Sequence, residues 1–149
     1  MNYFLDIIFN QVLQTAVISW FAAQVIKFVL TLIKERRLDF TRIYGSGGMP
    51  SSHASFTVSL AVAVGFTNGF DSTLFALAAA FAFVVMYDAT GVRRSAGEQA
   101  AILNKIVEKI GKEHISETGQ KLKELLGHTP IQVFAGAILG IVIAVLRHM

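Results

Sequence analysis

The sequence predicts an all-α protein, a polytopic membrane helical bundle with about four transmembrane helices and one amphipathic helix at the interface. Hydrophobic residues make up 54% of its 149 residues and charged residues only 15%. The mean hydropathy is +0.57, and the apolar residues fall in four long runs. A soluble domain carries about a quarter charged residues, and a chain this small cannot hide so much apolar surface in a water-soluble core. The length fits a single domain over residues 1–149.

The four apolar runs predict one helix each and comprise residues 12–33, about 54–70, about 72–89 and 131–146. The first run contains one charge, Lys27, and is long enough to cross a bilayer. The second and third runs are joined by a short turn with Asn68 and Gly69, so they form an antiparallel hairpin. Pro130 precedes the fourth run and favours the first turn of a helix.

Two polar segments, residues 34–53 and 90–129, separate these runs. The hairpin between them crosses the membrane twice, so both segments lie on the same side. Eleven of the 13 Lys and Arg residues belong to them, four to the first segment and seven to the second. The positive-inside rule predicts that this face is cytoplasmic and that both termini are external. We expect an integral, multi-pass protein of the cell membrane.

The second polar segment contains apolar residues at helical spacing, with charged residues on the other side. These apolar residues are Ile102, Leu103, Ile106, Val107 and Ile110. The pattern predicts an amphipathic helix over about residues 96–110 that lies on the membrane surface. A second short helix is predicted for residues 117–126.

Two sites carry residues suited to chemistry. The first is the Gly-rich stretch of residues 45–53, which turns into a helix through Pro50, Ser51 and Ser52 and ends at His53. The second is residues 127–130, with His128 at the start of the fourth run. Unpaired backbone N–H groups at helix N-termini attract anions, and two histidines on one side of the membrane suit an acid and a nucleophile. Planar guanidinium donors for phosphate come from Arg36, Arg93 and Arg94.

Structural roles for the same residues stay open. A Gly-rich loop is often only a connection, and a histidine near a helix N-terminus is often structural. Lys27 can extend its amine to the interface, although an ionisable residue within a span is a functional candidate. Asp88 can pair with Arg93 or Arg94.

The string Met-Pro-Ser-Ser-His-Ala-Ser at residues 49–55 resembles the Pro-Ser-Gly-His motif of the type 2 phosphatidic acid phosphatase superfamily, which also includes vanadium haloperoxidases. Residues 127–144 are similar to the end of its third motif, where His128 falls on the nucleophilic His and Gln132 on an Asp. With residues 87–100 between them, the pattern resembles a small divergent membrane branch of that superfamily over nearly the whole chain.

The sequence also departs from the superfamily motifs. The first motif is Lys, six residues and Arg-Pro, whereas eight residues separate Lys27 from Arg36 and no Pro follows. Ser52 replaces the motif Gly, and the Ser-Arg expected before His128 is absent. Gln132 orients a ring as the Asp does but offers no charge.

The resemblance implies a metal-independent phosphohydrolase that acts on a lipid phosphate monoester or diphosphate. His128 would attack phosphorus to form a phosphohistidine, Gln132 would orient its ring, and His53 would protonate the leaving oxygen. The groups implied to bind the phosphate are Lys27, Arg36, Ser51, Ser52, Arg93 and Arg94. The alternative is a catalytically weak membrane scaffold or lipid-headgroup-binding protein that kept the anion pocket. A small transporter or channel subunit has less support, because a single buried Lys makes a poor polar path.

Other function classes are excluded or not expected. The chain has no Cys, which excludes a disulfide framework, a thiolate metal site and a Cys nucleophile. We expect no metal, no cofactor and no nucleic-acid partner, because the basic residues lie between apolar runs. The expected partners are the membrane and a lipid phosphate substrate. Four short helices are few for enclosing a site, so a homodimer is a further expected assembly.

Overall fold

The computed structural model of the protein describes residues 2–35, 48–110 and 127–149. Its helices, in chain order, are α1 (Tyr3–Ile8), α2 (Gln11–Glu35), α3 (Ser52–Asn68), α4 (Thr73–Thr90), α5 (Val92–Ile110) and α6 (Pro130–His148). No strand occurs in these three ranges. The predicted helical membrane bundle is confirmed, with α2, α3, α4 and α6 at the four apolar runs.

Three helical stretches in the described ranges are long and apolar enough to cross a membrane. They are Gln11–Ile33, Thr73–Ile106 and Pro130–His148, of which the second contains α4 and most of α5. The remaining predicted span corresponds to α3, which is only 17 residues long. This length is at the lower end of the range of about 17–25 residues that crosses a bilayer, and α2, α4 and α6 all pack against α3.

Helix α3 packs through small residues, since all of its buried positions are Ser, Thr, Ala or Gly. Its Ser55 Oγ lies 2.6 Å from the Oγ of Ser19 on α2. A Cβ atom added at Gly140 of α6 would lie only 2.7 Å from the Ser55 carbonyl oxygen. Large apolar side chains such as Leu77 and Phe83 are instead mostly exposed. This arrangement is typical of a membrane, where close backbone contact and hydroxyl groups hold helices together.

The bundle has two distinct ends. At one end the last turn of α6 meets the start of α2, because His148 Nε2 lies 3.3 Å from Thr15 Oγ1. The His148 ring also stacks on Phe66, near the end of α3, at 5.6 Å between centroids. We call this the terminal end. The start of α3, the end of α4 and the start of α6 lie together at the other end, which we call the site end.

The predicted amphipathic helix is confirmed as α5, which packs against α4. It begins at Val92, four residues before the predicted start. Ile102, Leu103 and Ile106 are about half exposed, so the bundle leaves this apolar face to the membrane. The predicted helix at residues 117–126 lies outside the described residues. Helix α1 was not predicted, because six residues are too few to show a periodic pattern.

Candidate active site

Helices α3 and α6 begin in direct contact at the site end. Ser51 caps α3, with its Oγ accepting the Ala54 N–H at 3.4 Å. The Ser51 N–H donates to the backbone carbonyl of Gln132 on α6 at 2.9 Å. A Cβ atom at Gly136 would lie 2.3 Å from the Ser51 carbonyl oxygen, so only glycine allows this approach. Both helices therefore direct their positively polarised N-termini to one place.

His128 lies immediately before the cap of α6 and is buried, with 5% of its surface exposed. Its backbone N–H donates to the carbonyl oxygen of Ala89, near the end of α4, at 3.1 Å. Ala89 also packs with Ala54 and Val133 in the small apolar core of the site end. Three helices thus fix the position of this histidine.

The Gln132 carboxamide holds the His128 ring. Its Oε1 accepts the Thr129 backbone N–H at 3.1 Å and lies 3.1 Å from His128 Nδ1. The Thr129 backbone donor places the oxygen of the amide on this side independently of the histidine. Because a carboxamide oxygen only accepts hydrogen bonds, Nδ1 carries the proton of the neutral ring. The lone pair of the neutral ring is therefore on Nε2. A nitrogen atom needs such a lone pair to attack phosphorus.

His53 lies in the first turn of α3, and the structure brings its ring close to that of His128. The two ring centroids are 6.4 Å apart, with an angle of 60° between the ring planes. His53 is exposed whereas His128 is buried. One histidine is thus exposed at the surface of the bundle, and the other is buried in the protein beside it.

Lys27 is buried in α2 beside the stretch that leads to His53. Only 1% of its surface is exposed, and its Nζ donates to Oε1 of Gln24 at 2.8 Å. Its aliphatic stem lies against Gly48, where an added Cβ atom would be 3.1 Å from the lysine Cγ. Gly48 has a φ of +88°, which disfavours other residues. The lysine amine is therefore held inside the bundle, with the stem of the side chain against Gly48.

The other predicted phosphate-binding residues are less closely grouped. Ser51 and Ser52 are buried at the start of α3. The Arg94 guanidinium donates to Glu98 at 3.0 Å on the exposed surface of α5. Arg36 lies outside the described residues, as does the Arg93 side chain. The roles of these arginines stay predictions.

Sequence reasoning did not identify Gln24 or Ala89 as part of this site, and it placed Gly136 only at the start of the helix that belongs to the third motif. A signal for Gln24 was available, because it is a polar residue three positions before Lys27 in an apolar run. Ala89 acts through its backbone carbonyl, and Gly136 acts through its lack of a side chain. Neither of these features has a local sequence signature.

Comparisons with known proteins agree with the motifs. The sequence profile of the Divergent PAP2 family matches residues 8–143. The chain is also 42% identical over 149 residues to the "Uncharacterized membrane protein YuiD" of Bacillus subtilis (strain 168), covering 93% of this chain and 94% of that protein. No solved structure gives a significant match.

Proposed function

The chain belongs to the Divergent PAP2 family, and we propose that it is a membrane phosphohydrolase that removes phosphate from a lipid phosphate monoester or diphosphate. The observation that carries this proposal is the Gln132 oxygen shared by Thr129 N–H and His128 Nδ1. It orients a buried imidazole with Nε2 as the nucleophilic atom, next to a second histidine.

The first step forms a phosphohistidine. His128 Nε2 attacks phosphorus, and the bond from phosphorus to the leaving oxygen breaks. His53, in its protonated form, gives its proton to that oxygen. The separation of 6.4 Å between ring centroids is suited to a phosphoryl group between the two rings, with contacts that tighten when substrate binds.

The second step returns the enzyme to its starting state. His53, now neutral, takes a proton from water, and the oxygen of that water attacks phosphorus. The bond from phosphorus to Nε2 breaks, which releases inorganic phosphate. Throughout, the Nδ1–H of His128 donates to Gln132, so the ring keeps one orientation.

Charge on the phosphoryl oxygens needs compensation in both steps, because phosphoryl transfer depends mainly on positioning and electrostatics. The N-termini of α3 and α6 supply positive helix-dipole ends. Lys27 supplies a full positive charge from beneath Gly48. A lipid substrate suits this site because α5, with its exposed apolar face, extends from the site end along the membrane surface.

The alternative is a protein that binds the headgroup without turnover. The neutral Gln132 favours it, because a carboxamide gives less stabilisation than a carboxylate to the cationic ring of a phosphohistidine. This protein would bind lipid phosphates at the same site and release no phosphate.

Phosphate release by the purified protein separates the two functions. We expect turnover of at least one member of a panel containing phosphatidic acid, phosphatidylglycerol phosphate and a polyprenyl diphosphate, with inhibition by vanadate. His128→Ala should lower turnover at least about a thousandfold, as removal of a nucleophile does. His148→Ala is the matched control, because it removes a histidine from the other end of α6 and should leave turnover unchanged. Full activity in His128→Ala would end the proposed mechanism, and lipid binding with no turnover in the wild type would favour the alternative.

A further inference from the structure

A second site lies at the terminal end, between α1 and the start of α2. It is a groove of about 390 Å³ that also contains the Gln14 amide and the Arg147 guanidinium. Its apolar wall consists of Ile7, Ile8, Leu13, Val17 and Ile18. We propose that this groove binds one anionic phospholipid, with the headgroup phosphate on Arg147 and an acyl chain along the apolar wall. Arg147 follows Gln132 by 15 helical residues, or about 22 Å, so this site is separate from the proposed active site.

The charge of Arg147 favours an anion. Its guanidinium donates to Gln14 Oε1, and the Gln14 amide in turn donates to the Ile8 carbonyl oxygen at 2.8 Å. Within the described part of the chain, no carboxylate lies within ion-pair distance of Arg147. The guanidinium is exposed and keeps N–H donors beyond the one that Gln14 uses. A phosphate diester matches both the charge and the planar donors.

The apolar wall favours a lipid over a small anion. A free phosphate would contact the guanidinium but leave the five apolar side chains without a ligand. A phospholipid places its charge and its acyl chain next to each other, as the groove places Arg147 next to Leu13 and Val17. The groove is therefore matched to an amphiphile with one negative charge at its head.

The position of α1 places the groove at headgroup depth. Tyr3, Phe4 and Phe9 are each about 70% exposed, and α1 buries none of its residues in the protein. Exposed aromatic side chains of this kind belong at the boundary between water and the membrane. Since the Gln14 amide ties α1 to α2 at Ile8, the groove opens where lipid phosphates lie.

Trp20 reports on the groove without an added label. It is the single tryptophan of the chain and follows Leu13 by seven residues, so it lies on the same side of α2. Bromine atoms on an acyl chain in the groove quench its fluorescence. The experiment titrates the full-length protein in detergent with brominated phosphatidylglycerol or with phosphatidylcholine that carries the same brominated chains.

We expect phosphatidylglycerol to give half-maximal quenching at a mole fraction roughly fivefold to tenfold lower than phosphatidylcholine does. This ratio is the difference in affinity that one charge-assisted hydrogen bond gives at an exposed site. Arg147→Gln should remove this preference, and Arg147→Lys should keep part of it. Lys105→Gln removes an exposed cation from α5 and should leave the preference unchanged. Soluble glycerol phosphate should not displace the lipid, because it has no acyl chain.

Three results would overturn the proposal. The first is equal quenching by the two lipids in the wild type. The second is an undiminished preference in Arg147→Gln, and the third is displacement of the lipid by glycerol phosphate at matched concentration, which indicates a simple anion site. None of these readouts depends on phosphate release, so this proposal and the proposed function fail separately.

Discussion

Gly136 is the position where a single methyl group should separate the two helices of the site. In the structure an alanine Cβ at this position would lie 2.3 Å from the Ser51 carbonyl oxygen and 3.1 Å from the Ala54 Cβ. Contacts between carbon and oxygen in proteins begin near 3.3 Å. Gly136→Ala therefore forces α3 and α6 apart by about 1 Å at the level of the histidines. The main obstacle is backbone, which cannot rotate away as a side chain can.

The expected effects follow from that displacement. Overpacking of a well-packed interior costs about 1–3 kcal/mol, which corresponds to a fall of about 3 to 10 °C in the thermal midpoint for a chain of this size. The hydrogen bond from Ser51 N–H to the Gln132 carbonyl should lengthen as well. Since a misplacement of about 1 Å can cost a hundredfold in rate, phosphate release should fall by about that factor.

Gly65→Ala is the matched control on α3. A Cβ there would lie 2.4 Å from the ring of Phe70, a side chain on the surface of the turn that can move aside. We expect its thermal midpoint and phosphate release to stay near those of the wild type. Both variants are measured in the same detergent by thermal unfolding and by phosphate release. A Gly136→Ala protein with wild-type stability and wild-type turnover would refute the close contact between α3 and α6.

Three further predictions concern charge and orientation. Lys27→Met keeps an apolar stem against Gly48 and removes a buried charge. The thermal midpoint should therefore hold or rise, while phosphate release should fall about a hundredfold. A lower thermal midpoint with full phosphate release would make Lys27 a structural residue. Gln132→Glu should keep or raise phosphate release, whereas Gln132→Leu should lose most of it. Equal phosphate release by the two variants would show that residue 132 does not orient the His128 ring. Ser46→Cys, in a chain without other cysteines, should react with an impermeant thiol reagent only after the cells are permeabilised; labelling in intact cells would reverse the predicted orientation.

The helices were predictable because each depends on a local pattern. The apolar runs gave boundaries within about two residues of α2, α3, α4 and α6, and Ser72 and Thr129 cap their helices through side-chain contacts with nearby N–H groups. The length of α1 was too short for any periodic signal. The start of α5 was placed too late, because the turn at Gly91 gives no sign of how closely the next helix follows.

The candidate site was predictable in its location and less so in its contacts. Counting the crossings of the hairpin placed His53 and His128 at the same end, since helix direction follows from connectivity. The contact between Gly136 and Ser51 joins residues 85 positions apart in the chain, and no local pattern specifies such a pair. The contact between the Lys27 stem and Gly48 depends on which side of α2 faces the bundle, and a run that is apolar all round does not reveal that side.

Position 132 allows the chemistry of the site to be tested apart from its fold. Gln132 meets two requirements through one oxygen, because Oε1 completes the capping box of α6 and also accepts from His128 Nδ1. A glutamate meets both equally well, since it is a preferred residue at the third position of a capping box and its charge is favourable at a helix N-terminus. The Gln132→Glu variant should therefore change only the charge beside the imidazole, with no change in its orientation. If the ring becomes cationic during turnover, this charge stabilises the phosphohistidine, whereas a protein that only binds headgroups gains a repulsive charge next to its anion and binds more weakly.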